Sequence, residues 1–419
     1  MIDLYRLRGV NHSRMVYFPY NPTKWTPNPY DRESLKTELQ DSLSVFRAFV
    51  LVGPRRVGKT SLLRYLEEFG KKKGVLTGYV NFQESWERSP STEALVEYYT
   101  TSILDSFLAG GGFKKALKYG FWRKIEWLKD NISSIKVDII KDFVGITLDW
   151  RAGKEKAETI VRTALDFPES LASDLGRRAV VLIDEFQELR LFKQAIPNIY
   201  GLLRSKWSEH DKTSYIVSGS AIGMLRSLIT SENSPFKEFF IDRKVNPFDV
   251  DTSKEFVSEI FDSTGIHYDN NTVESISEKS GGIPKWLVRL TYDLHMMCRI
   301  KKLKRLDGGL VNKVWNELYS FRSGTYVGTD FQRDIERIGQ GNTLVEGRLK
   351  TILTAMSRSN KSTPKDLLSY AQEKHVRIAK NVLFGYLDRL MAHGIASRHE
   401  GGNYTIIDPV LKEWLKRSV

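Results

Sequence analysis

Short, strongly apolar runs punctuate the first half of the chain, and each ends in polar or glycine-bearing residues. Phe46 to Val52 (FRAFVLV) leads into Gly53, Ala179 to Ile183 (AVVLI) stops at Asp184, and Ser214 to Val217 (SYIV) stops at Ser218. Leu76 to Phe82 is a further run of the same kind. Runs of this length predict buried strands. A helical period from Lys59 to about Lys71 separates the first run from the one at Leu76. This strand–loop–helix–strand order predicts an α/β fold with a parallel sheet and crossover helices, whose ligands bind at the carboxyl ends of the strands.

The flanking segments read differently. Residues 1–30 are rich in Pro, Asn and aromatics, and Pro19, Pro22, Pro27 and Pro29 exclude a regular helix or central strand. We expect an extended arm there, with Asp31 capping a helix from Arg32 to about Ser44. Residues 107–150 read as a helical basic insertion inside the α/β domain. Gly110, Gly111 and Gly112 break the chain, and Leu117, Phe121, Ile125 and Leu128 then form a stripe among lysines and Arg123. Such a helix packs on its own domain or lies on a membrane or nucleic acid.

From about Asp251 the pattern is helical and includes SGGIPKWLVRL, where Gly-Gly ends one helix and Pro284 starts the next. Leu344 to Met356, Pro364 to Glu373 and Ile378 to Ala392 are helical by period. Ala396 to His399 and Asn403 to Ile407 follow as strands around Gly401-Gly402. Three helices and a hairpin make a winged-helix pattern. The expected domains are the arm (1–30), the α/β domain (31–250), a helical lid (251–335) and the winged helix (340–419).

Length agrees with more than one domain, since 419 residues exceed one ordinary core. The net charge of +13 favours acidic partners. A single cysteine, Cys298, excludes an intrachain disulfide and fits a reducing cytoplasm. Its setting in a Leu/Met-rich stretch makes it a core residue. The N-terminus lacks the apolar run of a secretory signal, and no run approaches the roughly 20 residues that span a bilayer.

The chemistry concentrates in two segments. Gly53-Pro54-Arg55-Arg56-Val57-Gly58-Lys59-Thr60, followed by Ser61, matches the phosphate-loop pattern G-x-x-x-x-G-K-[ST], after a predicted strand and before a predicted helix. The glycines let backbone N–H groups point at phosphates, and the helix dipole adds to them. Lys59 is expected on the β- and γ-phosphates and the Thr60 hydroxyl on magnesium. Asp184 is expected to hold Mg2+ through water, and Glu185 to orient and deprotonate the attacking water. Ser218 or Ser220 is placed to touch the γ-phosphate or that water. Arg243, in FFIDRKVNPF, is placed to meet a γ-phosphate in its own or a neighbouring subunit.

These segments are similar to those of the archaeal ATPase family, in the AAA+/STAND branch of P-loop NTPases. NPYDRESLKTEL, GPRRVGKTSLL, LIDEFQEL, VSGSAIGML, FIDRKVNPF and GGIPKWL carry the resemblance, from about residue 28 to the C-terminus and least over 85–175. The resemblance implies a nucleotide-binding α/β domain, a helical lid and a C-terminal winged helix. It implies ATP rather than GTP, with Tyr30 and Arg32 near the adenine and Pro284 touching the nucleotide from the lid. Many AAA+ proteins carry a lid arginine where this chain has Pro284, which puts arginine sensing of the γ-phosphate in doubt.

Residues 340–419 hold 13 Lys and Arg against 7 Asp and Glu. In a DNA-binding winged helix, Arg377, Lys380 and Arg389 would lie on the groove helix and Arg398 on the wing. The leading expectation is an ATP-driven switch or motor acting on double-stranded DNA or a protein partner. The alternative is a signalling ATPase without a nucleic-acid role, in which ATP controls homo-oligomerisation.

Overall fold

The computed structural model describes residues 18–22, 24–44, 47–83, 91–109, 154–318 and 326–417. The expected basic helix of the insertion and most of the expected arm lie outside the described residues. Among them are two compact units, both discontinuous in sequence. One contains the described parts of 25–246 and 334–407, the other those of 1–24, 247–333 and 408–419.

The first unit is built on a five-stranded parallel sheet: β1 (Ala48–Val52), β2 (Leu76–Asn81), β3 (Ala179–Asp184), β4 (Thr213–Gly219) and β5 (Phe240–Lys244), in the order β2-β3-β4-β1-β5. Alternation of side chains along each strand divides the core between the two faces. Val50, Val52, Val181, Ile183 and Val217 belong to a core with helices α3 (Thr92–Ala109), α4 (Lys154–Asp174) and α5 (Ile199–Glu209). Phe49, Leu51, Val180, Leu182 and Ile216 meet α1 (Glu33–Asp41) and α2 (Lys59–Lys72) through Leu39, Leu62, Leu63 and Leu66. Burial on both faces explains why these strands read as continuous apolar runs.

β5 escapes that signal because FIDRK is a polar edge strand, hydrogen-bonded to β1 alone. Asp31 does not cap α1. Its φ of 46° lies in the left-handed region, Arg32 takes the N-cap position without a side-chain cap, and the Asp31 carboxylate sits 3.9 Å from the Arg32 guanidinium instead.

The same unit holds the C-terminal helices Thr343–Ser357, Pro364–Glu373 and Lys380–Ala392, then β6 (Ala396–Arg398) antiparallel to β7 (Tyr404–Ile406). Thr363 and Asp366 form a reciprocal capping box at the second of these helices. Helix Ile222–Thr230 packs closely on the third. A Cβ on Gly223 would come within 2.9 Å of Ala392 Cα.

The other unit is helical: Val250–Thr264, Asn270–Ser280, Pro284–Lys301, Gly308–Glu317 and Pro409–Arg417. Gly281 and Gly282 have φ of 59° and 69°, and a Cβ on Gly282 would lie 2.0 Å from the Phe248 carbonyl oxygen. That close approach, with Pro284 at the first helical turn, accounts for the SGGIP string. Helix Pro409–Arg417, which falls within the expected bounds 340–419, clusters with this unit. The Asp408 carboxylate accepts the Trp286 indole N–H at 3.0 and 3.1 Å, and Val410, Leu411 and Leu415 are buried.

Candidate nucleotide site

β1 ends at Val52, and the chain turns through Gly53 to Gly58 into α2. Two positions need glycine. A Cβ on Gly53 would stand 2.0 Å from the Val245 carbonyl oxygen, and Gly58 has φ of 99°. Arg56 is also left-handed, at 69°. Val57 is buried in the core shared with α2. The Lys59 ammonium donates to the carbonyls of Gly53 at 2.9 Å and Pro54 at 2.7 Å. Burial lowers its pKa to about 8 against the opposing pull of Glu185 and Asp184. The Ser61 hydroxyl accepts the Thr26 N–H at 3.1 Å.

Parallel register brings the ends of β3 and β4 beside this loop: Val52 is opposite Gly219, and Asn81 opposite Asp184. Asp184 is buried and accepts hydroxyl hydrogen bonds from Thr60 at 2.6 Å, Tyr79 at 3.1 Å and Ser218. Burial, and then the Glu185 charge, push its carboxyl above the usual range. Glu185 turns away at φ 51°. Its Oε2 accepts from the Ser220 hydroxyl at 2.9 Å, the Ser220 N–H at 3.2 Å and the Gln187 amide. Burial opposes its ionisation, but Arg55 and Lys59 together hold its pKa below the usual value. The two adjacent acids are thereby shifted in opposite directions.

The loop arginines are engaged from the C-terminal side. Arg55 Nη1 donates to Asp334 Oδ1 at 3.0 Å, and Arg56 Nη2 to Asp334 Oδ2 at 2.9 Å. Arg337 also donates to Asp334, at 3.0 Å. Gly394 sits just beyond the carboxyl end of β4, where a Cβ would come within 2.7 Å of the Ser220 carbonyl oxygen.

A family described as an ATPase domain predominantly from Archaea matches residues 30–290. The chain belongs to this family. The Walker-type ATPase PABY2304 of Pyrococcus abyssi is similar in structure, at a TM-score of 0.65 and 22% identity over 95% of this chain and 99% of that one. The ORC2 protein of Aeropyrum pernix, solved as ADPNP–ADP complexes, gives 0.54 and 13% over 95% and 96%. No curated protein matches the sequence. The parallel sheet and its flanking helices are the P-loop NTPase-like fold shared with these two structures. Among the described residues, no helix is long and apolar enough to cross a membrane.

For this member of the archaeal ATPase family, the sequence-predicted site residues divide into two groups. Lys59, Thr60, Asp184, Glu185, Ser218 and Ser220 converge, with one serine on each carboxylate. Arg243 does not join them; its guanidinium is paired with Glu38, through a 2.6 Å bond from Nε and a second from Nη2. Arg32 donates to the Asn246 carbonyl at 2.6 Å, next to the Val245 that crowds Gly53. Tyr30 is partly buried. Pro284 lies in the helical unit, where the nearby Lys285 pairs with Asp330 and Arg289 with Asp293 at 2.8 Å. Arg377, Lys380 and Arg398 are exposed. Arg389 is not, because its Nη1 turns in to the Ile338 carbonyl at 3.4 Å.

Three participants escaped sequence reasoning. Gln187 stands two residues after Glu185 in the motif LIDEFQEL, so a signal existed. Tyr79 lies inside β2 and reads as a core aromatic. Asp334 lies 278 residues beyond Arg56 and carries no local signal.

Proposed function

We propose that this chain is a magnesium-dependent ATPase that hydrolyses ATP to ADP and phosphate. The observation that carries the reading is the pinning of Glu185 through one oxygen, beside the Thr60–Asp184 pair. Gln187 and Ser220 occupy Oε2, which leaves Oε1 to accept a proton from water. Thr60 and Asp184 offer hard oxygen donors 2.6 Å apart, which fit magnesium. When bound there, the ion supplies charge neutralisation on the phosphate oxygens. Lys59, now on two loop carbonyls, turns to the phosphates, while Arg32 and Tyr30 flank the base. The test is hydrolysis of ATP in magnesium by the wild type beside Lys59→Ala. We expect the variant to lose nucleotide affinity at least tenfold, about 1.4 kcal/mol. Equal affinity would remove the phosphate loop from the account.

The nucleotide state is coupled in this reading to a macromolecular partner through the winged helix. Arg377, Lys380 and Arg398 are exposed cations of the kind that contact the phosphates of double-stranded DNA. Val382 and Phe384, each 37% exposed on the helix that Lys380 begins, favour a protein partner as a second reading.

A further inference from the structure

The phosphate loop carries two arginines that the glycine-lysine chemistry does not need. Both are held by one carboxylate that is distant in sequence. Asp334 is buried, and each of its oxygens takes a different loop arginine, at 3.0 and 2.9 Å. Arg337 shares Oδ1, so three guanidinium groups face one carboxylate. One carboxylate cannot neutralise all three guanidinium groups, and Arg55 also acts on the nearby Glu185. Two further atoms of Arg55, Nε and Nη2, are buried and have no hydrogen-bond partner among the described residues. Buried guanidinium donors without acceptors call for an anion. The backbone of Arg56 is left-handed, a conformation costly for a side-chain-bearing residue unless its surroundings hold it, and the Asp334 ion pair is such a hold.

We propose that Asp334 is a competing anion for the phosphate loop, a specificity-determining residue that sets nucleotide affinity and how steeply affinity depends on the number of phosphates. The inference rests on the nucleotide reading above. An incoming polyphosphate draws Arg55 and Arg56 toward itself, and the Asp334 carboxylate both withholds them and repels the new charge. That penalty grows with the charge of the ligand, so the residue weakens a triphosphate more than a diphosphate and flattens the dependence of affinity on phosphate number. Asp334 lies within the helix Tyr326–Gly339, which precedes the C-terminal helices.

The test is calorimetric titration of AMP, ADP and ATPγS into the wild type and Asp334→Asn. The amide keeps the shape and removes the charge. We expect affinity to rise about tenfold for ATPγS, about threefold for ADP and little for AMP, in steps of the size single charges contribute. Unchanged affinities, or an equal loss for all three, would overturn the proposal. A wild type that binds none of them would instead overturn the nucleotide reading. A second measurement needs no variant: amide hydrogen exchange over residues 334–342 of the wild type should quicken when ATPγS binds. Exchange that slows or stays the same would also overturn it.

Discussion

Asp184 and Glu185 are consecutive, yet one residue of backbone sends them to different environments. Asp184 closes β3 in extended conformation and meets three hydroxyls, whereas Glu185 starts a 3-10 turn at positive φ and meets Ser220 and Gln187. The pair itself was legible in the sequence, because an apolar run ending in Asp-Glu is a local signal. Which serine serves which acid was not, since that depends on the pairing of β3 with β4. Gln187→Ala should leave nucleotide binding intact and slow turnover by about tenfold to a hundredfold, as expected when a base loses its orienting partner. Single-turnover kinetics would check this, and an unchanged rate would relegate Gln187 to packing.

His393 gives a residue-scale prediction that depends on no ligand. Burial, and then the charges of Arg190, Arg55 and Arg389, lower its pKa from 6.5 to about 3. The unfolded chain binds this proton below about 6.5, and the folded chain does so only near 3. The stabilising contribution is therefore complete above the unfolded value and drains away as pH falls through that window. One proton accounts for a slope of up to about 1.4 kcal/mol per pH unit. Thermal unfolding of His393→Gln between pH 7 and pH 4 should show a flatter acid limb than the wild type. Parallel limbs would contradict the assignment.

At the scale of elements, periodicity located what both faces of burial made continuous. β1, β3 and β4 were legible as apolar runs, and Pro364–Glu373 was legible to the residue. β5 was not, because an edge strand with Asp242, Arg243 and Lys244 carries no apolar signature. The turn at Gly394 belongs to the same lesson. Gly394 follows the helix Lys380–Ala392, and its φ of 66° and the Ser220 carbonyl beside it leave no room for a side chain. Gly394→Ala should cost about 1–3 kcal/mol in unfolding free energy. It should also lower turnover, by displacing the Ser220 that anchors Glu185. Chemical denaturation and a steady-state rate on the same sample separate the two effects, and a variant of wild-type stability would remove the close approach from the account.

At the scale of the molecule, membership of an archaeal ATPase family agrees with the resemblance drawn from its motifs. Pairings across great sequence distance were illegible. The return of Pro409–Arg417 to the helical unit rests on Trp286 and Asp408, which are 122 residues apart. The partner is decided by surface chemistry. If Arg377, Lys380 and Arg398 bind duplex DNA, replacing them by alanine should reduce the dependence of log affinity on log salt by about 0.9 for each phosphate no longer neutralised. Absence of any salt-dependent DNA affinity in the wild type would favour the protein partner that Val382 and Phe384 suggest.

The central claim is that Glu185 activates water at a bound ATP. It is tested most directly by Glu185→Gln, with ATP binding and phosphate release followed in one sample containing magnesium. The account predicts wild-type affinity and a phosphate-release rate lower by at least about a hundredfold. Hydrolysis at the wild-type rate would contradict it and move the base elsewhere.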